Sequence, residues 1–126
     1  MTLEEYIQNT LLNIESIKDL IGNNVYAFIS KTNPDKCFIR WSLINEEAAI
    51  NNVSNFNTLK KAEVQISIFA NTIFNARFIA SEIEKTFNNN NTSSNIRCSR
   101  TLSLAPVVED KHTIHYPLRL TFFYNQ

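Results

Sequence analysis

Apolar residues recur at helical spacing from the start of the chain: Leu3, Tyr6, Ile7, Leu11, Ile14, Ile17 and Ile21. That is one stripe of an amphipathic helix. Thr2 with Glu5 forms a capping box, in which hydroxyl and carboxylate each satisfy a free amide at the helix start. Gly22, the only glycine, suits a left-handed C-cap. The pattern therefore predicts a helix over about 2–21. Val25 to Ile29 is short, β-branched and aromatic, which reads as a strand. Asn33-Pro34-Asp35 is a turn signal. Cys37 to Ile44 then alternates, with Cys37, Ile39, Trp41 and Leu43 on one face and Phe38, Arg40 and Ser42 on the other.

Glu46 to Thr58 is acidic, then Asn-rich, and shows no clear period. It reads as a long polar loop at about 45–58, with room for a helical turn over Glu46 to Ile50; loops of that length are functional or disordered. Leu59 to Ala70 alternates again, with Val64, Ile66, Ile68 and Ala70 inward. Asn71 or Thr72 can cap a second helix that runs to Phe87, with Ile73, Ala76, Ile79, Ala80, Ile83 and Phe87 as its core stripe. An Asn-rich segment to Asn95 ends it. Ile96 to Leu104 reads as a strand with Ile96, Cys98, Leu102 and Leu104 inward, and Ala105 to Lys111 as a turn around Pro106. In the last strand Ile114, Tyr116, Leu118, Leu120, Phe122 and Tyr124 share one face. Pro117 cannot donate to a ladder, which predicts an edge position or a bulge.

The expected fold class is α+β: one mainly antiparallel sheet of about four to five strands, with two amphipathic helices packed on one face. Strands joined by short turns are expected to pair antiparallel. At 126 residues the chain is expected to form one domain over 1–126.

Composition narrows the function. Apolar residues are 44% and charged residues 19%, a globular balance. Twelve basic side chains match twelve acidic ones. A nucleic-acid groove binder normally shows a basic excess, so no sequence-specific nucleic-acid role is expected. No apolar run approaches the roughly 20 residues of a membrane span, and the polar, acidic first residues, Thr2 to Tyr6, carry the expectation of no signal peptide. The expected location is a cytoplasm, or a particle assembled there. Asparagine is about one residue in seven, which fits AT-rich codon usage.

A catalytic constellation does not emerge. One glycine cannot make a phosphate-binding loop. Cys37 and Cys98 lack ligand spacing and read as small buried hydrophobes. His112 and His115 are three apart on a strand and face opposite ways, a poor geometry for joint metal binding. Glu46 and Glu47 read as solvated loop charges. Arg97, Arg100 and Arg119 form either a small basic cluster or charges guarding a sheet edge. Catalytic, cofactor and metal sites are all expected to be absent. One feature points outward: Phe74 and Phe78 lie opposite the core stripe of the second helix, among Ser81, Glu82 and Lys85. They either pack under the first helix or the long loop, or anchor a subunit interface. The end of the last strand, Phe122, Phe123 and Tyr124, is a second candidate surface, able to extend a sheet into a neighbouring subunit.

The layout resembles the small tail-completion or tail-terminator proteins of long-tailed bacteriophages. The residues that carry the likeness are the helix exit "LIGNNVY", the strand "CFIRWSL", the central strand "KKAEVQISIFANT", the helix "IFNARFIASEIEKTF" directly after it, and the closing "YPLRLTFFY". The likeness covers nearly the full length. One departure is that Pro34 stands off the second strand by Asp35 and Lys36. The resemblance implies a ring, usually of six subunits, that caps the head-proximal end of the tail tube, stops its polymerisation and joins tail to head. It implies partners in the chain itself, the tail tube protein and a head–tail connector, with no cofactor. The loop carrying Glu46, Glu47, Asn51, Asn52, Asn55 and Asn57 would then contact the tube or line the lumen, where its negative charge would let DNA pass. Competing expectations are a head-side neck component of the same particle and a small ligand-binding domain.

Overall fold

A computed structural model describes residues 2–28, 37–51, 58–89, 96–110 and 113–125. The turn at Asn33-Pro34-Asp35, the residues Asn52, Asn55, Asn57 and His112, and the segment 90–95 lie outside them.

The first helix is shorter than its hydrophobic stripe. α1 spans Leu3–Leu12 and opens with Thr2 Oγ1 accepting from Glu5 N at 3.1 Å. It ends at Asn13, whose side-chain amide donates to Asn9 O at 2.7 Å. An asparagine that bonds its own backbone competes with the helix, and here it stops it. Ile14 is extended, a 3-10 turn covers Glu15–Ile17, and α2 spans Lys18–Ile21. The break keeps Ile14, Ile17 and Ile21 buried, so the periodicity is real although the single helix over 2–21 is not. Gly22 follows with φ +58° and donates to Lys18 O at 2.8 Å.

Six strands form a mixed, mostly antiparallel sheet: β1 Val25–Ala27, β2 Phe38–Asn51, β3 Thr58–Ala70, β4 Ile96–Ser103, β5 Val107–Asp110 and β6 Thr113–Asn125. The order is β1-β2-β3-β6-β4, with β5 also on β6. α3, Ile73–Asn89, carries the chain from β3 to β4, leaving the place between them for β6. Four expectations are corrected. β1 pairs with β2 in parallel, not antiparallel; the chain between Ala27 and Phe38 is longer than the tight turn that would force antiparallel pairing. The stretch from Glu46 to Asn51 is not loop but the outer half of β2, paired through Thr58. The segment after Pro106 is a strand, β5, and not all turn. β6 is an inner strand, not an edge.

Pro117 fits that inner position for a local reason. Its carbonyl accepts from Leu104 N at 3.0 Å, so its missing N–H faces the same side, at the interruption between β4 and β5. The ladder bond that proline cannot make falls where its neighbour is already broken.

All the helices lie on one face. The core joins Leu3, Ile7 and Leu11 of α1 and Ala76, Ile79 and Ile83 of α3 to alternate residues of β2, β3 and β6. Rings from three elements meet at its centre: Tyr6, Phe87 and Phe122 pack edge to face, with centroids 5.5–6.3 Å apart. Each fully buried side chain of this size contributes about 1.5–3 kcal/mol.

Candidate functional site

Thr72 starts α3: its Oγ1 accepts from Asn75 N at 3.1 Å, and its carbonyl accepts from Ala76 N. That cap fixes the rotation of the helix. Ala76, Ile79, Ala80, Ile83 and Phe87 point into the core, which leaves Phe74 and Phe78 outside, 82% and 43% exposed. Phe74 is thus almost fully exposed, and Phe78 partly so. Glu82 follows one turn later on the same stripe, accepting from Ser16 Oγ at 3.1 Å and paired with Lys85 at 3.7 Å.

The other aromatic candidates separate by strand alternation. Phe122 is fully buried and Tyr124 nearly so, both in the core. Because β6 is an inner strand, these two cannot offer a free edge to a neighbour, and that expectation is corrected. Phe123 points the other way, half-buried between Lys61 of β3 and Arg97 of β4.

The carboxylates expected on one loop sit on opposite faces of β2. Glu46 lies on the helix side and pairs with Lys60 at 3.8 Å. Glu47 lies opposite Lys61 on the far face, and Asn51 closes the ladder opposite Thr58. The hairpin hides from pattern reading because Glu46, Glu47, Ala48, Ala49 and Ile50 follow one another without alternation. Its pairing sets Glu46 opposite the buried Ala62 and Ile50 opposite Leu59, with the Glu46–Lys60 ion pair across the strands.

The sheet face away from the helices carries a row of stacked rings. Phe38 stacks on Phe69 at 4.6 Å and Phe69 on His115 at 4.5 Å, each pair within 12° of parallel. The Arg40 guanidinium lies 5.3 Å from the Phe69 centroid. Beside this row the register sets Leu102 opposite Arg119 and Arg100 opposite Thr121. A bulge at Ser99 produces that arrangement. Before it Cys98 faces the core opposite Phe122; after it Thr101 does, opposite Leu120. Leu102 is thereby turned outward, against the expectation that it packs inward. The three arginines Arg97, Arg100 and Arg119 share this open face, as their register partners show. The Arg119 Nε is buried without a hydrogen-bond partner among the described residues.

Cys37 is buried and Cys98 half-buried; both are free thiols. Burial pushes the Cys98 thiol up to about 11, partly offset by a backbone hydrogen bond at Arg100. A small cleft of about 310 Å³ opens between Lys18, Asp19, Gly22, Cys37, Asn71 and Asn75. Among the described residues no group of three His, Cys, Asp or Glu side chains could hold a metal ion, and no helix is long and apolar enough to cross a membrane.

No protein-family model and no curated protein sequence matches the chain. Solved structures share its fold, among them two that match over nearly the full length. One is a chain from the virion of a native gene transfer agent particle: TM-score 0.61, 15% identity, 95% of each chain covered. The other, whose name carries no functional word, gives TM-score 0.65 at 12% identity, over 98% of this chain and 96% of its own. The likeness therefore runs over nearly the full length.

Sequence reasoning missed the exposed apolar side chains of the open face and its edge: Leu102, Val107 and Val108. Val107 and Val108 were hidden by the proline before them. Leu102 was hidden by the bulge, which leaves no mark in the alternation.

Proposed function

We propose that this chain is a structural component of a phage-like particle: a ring, with six subunits as the expected number, that caps the head-proximal end of the tail tube. The ring stops tube polymerisation and presents a surface to the head connector. The observation that carries this reading is the full-length fold shared with a gene transfer agent virion chain. The exposed pair Phe74 and Phe78 adds to it, because large aromatics on a polar helix face suit a subunit contact. In this reading the outer half of the β2–β3 hairpin, with Glu46, Glu47 and Asn51, is the part that reaches the tube or lumen. Asn52, Asn55 and Asn57 belong to the same proposed contact.

The test is to polymerise purified tail tube protein with and without this chain and to measure tube lengths by electron microscopy. The expected result is shorter tubes, each with extra density at one end. Tubes of unchanged length and bare ends would reject the capping role. Binding to the portal side instead would assign the chain to the head side of the neck.

A further inference from the structure

A closed ring is built head to tail, so each subunit needs two different patches, one received by the other. The outer stripe of α3 supplies one. We propose that the second is the open face of the sheet around Arg100, Leu102 and Arg119, and that its occupant is the α3 stripe of a second copy of this chain. The inference rests on the ring reading above and gives it its receiving surface.

Charge is the first argument. The chain is neutral overall, yet its charges are segregated. Among the described side chains the open sheet face holds Arg40, Lys61, Arg97, Arg100 and Arg119 against Glu47 and Glu63. The helices hold Glu4, Glu5, Glu15, Asp19, Glu82 and Glu84 against Lys18, Arg77 and Lys85. On α3 itself Arg77 and Lys85 balance Glu82 and Glu84, so the acidic excess comes from Glu4, Glu5, Glu15 and Asp19 of the segments before it, and the complementarity is between the open face and the whole helical layer of a second copy.

Chemistry at the patch is the second. Leu102 and Val107 present apolar surface on the open face, matched to the phenyl rings of Phe74 and Phe78. Arg100, exposed on the same face near Leu102, offers a guanidinium within reach of a partner. A carboxylate on the helical side of a second copy is an acceptor of the right charge for it.

Size is the third. The two central strands have 13 residues each. At about 3.4 Å per residue and roughly 4.8 Å between strands, the face measures on the order of 40 by 20 Å. That matches the roughly 800 Å² per partner of a standard interface.

A nucleic acid fits this face less well. Base-stacking platforms offer free ring faces, whereas Phe38, Phe69 and His115 spend theirs on one another.

The test uses two variants of the full chain, each checked for native circular dichroism and an unchanged urea midpoint. Phe74→Ser with Phe78→Ser removes the α3 stripe. Arg100→Glu with Leu102→Ser removes the receiving face; Arg100→Glu alone serves if the double variant unfolds, with at least tenfold weaker association expected. In light scattering, wild type is expected to reach a ring mass while each variant stays monomeric. An equimolar mixture is expected to stop at a dimer, because only one intact pair of faces remains. A receiving-face variant that assembles like wild type would overturn the inference and leave the ring reading intact. So would a mixture that stays monomeric. Wild type monomeric at every concentration would overturn self-docking, and the tube-capping assay would decide the ring reading separately. If Arg100→Glu instead abolishes binding of a labelled oligonucleotide while assembly is unchanged, the face serves phosphates and the inference fails.

Discussion

The indole Nε1 of Trp41 donates to Gln8 Oε1 at 2.7 Å, and the same amide returns a bond from its Nε2 to Val25 O at 3.0 Å. One side chain on α1 thus satisfies both a buried donor on β2 and a carbonyl on β1. Both bonds agree on which way the amide points, since an indole only donates and a carbonyl only accepts.

Replacing Gln8 with Leu keeps the bulk and removes both partners. The unpaired indole N–H should cost about 1–3 kcal/mol. Urea unfolding followed by the fluorescence of Trp41, the only tryptophan, measures this directly. A loss within experimental error would mean that water replaces the amide without cost.

Gly22 should be intolerant for a backbone reason alone. Its φ of +58° is one that L side chains rarely adopt, yet an added Cβ would meet nothing within 4 Å. Gly22→Ala should therefore lower stability by about 1–2 kcal/mol through conformational strain, with no loss of core packing. Gly22→D-Ala, made by chemical ligation, should restore it. Equal losses in both variants would point to a steric cause instead.

Much of the fold was legible because its inner strands alternate. Val64, Ile66 and Ile68 in β3 and Leu118, Leu120 and Phe122 in β6 face the core as their spacing predicts. So does the α3 stripe, and with it the outward position of Phe74 and Phe78. What was not legible depended on partners rather than on pattern. The hairpin beyond Asn45 has no alternating apolar stripe to betray it. The parallel β1 is three residues long and its direction is a property of the pair. The open face with Arg119 and Leu102 is assembled from β4 and β6, and the bulge at Ser99 that aims Leu102 is visible only in the register.

The Cys98 thiol gives a pH signature. Burial raises its folded pKa from about 9 to about 11. Between those values the unfolded chain sheds the proton while the folded one keeps it, so stability should be unaffected below pH 9 and fall as pH rises towards 11. Burial also raises Tyr6, which acts in the same direction. Cys98→Ala removes the thiol together with its contribution to the rise at Tyr6, so the gap between wild-type and variant urea midpoints should shift in favour of the variant as pH rises from about 8 to about 11. A gap that stays constant across that range would show that the thiol titrates alike in both states.

The neighbours Phe122 and Phe123 should respond oppositely to truncation, although they are the same residue on the same strand. Phe122 is fully buried and packs edge to face on Tyr6 and Phe87, joining β6 to α1 and α3. Phe122→Ala should cost about 3–5 kcal/mol, because the helices cannot close over a cavity of that size. Phe123 faces the open side of the sheet between Lys61 and Arg97, where its ring is half-exposed. Phe123→Ala should change stability by less than about 1 kcal/mol, while weakening self-association if the open face receives a second copy. Urea unfolding and light scattering on the same two variants separate the effects. A Phe123 variant as unstable as the Phe122 variant would show that the open face is already covered within the single chain, and would remove it as a surface for docking.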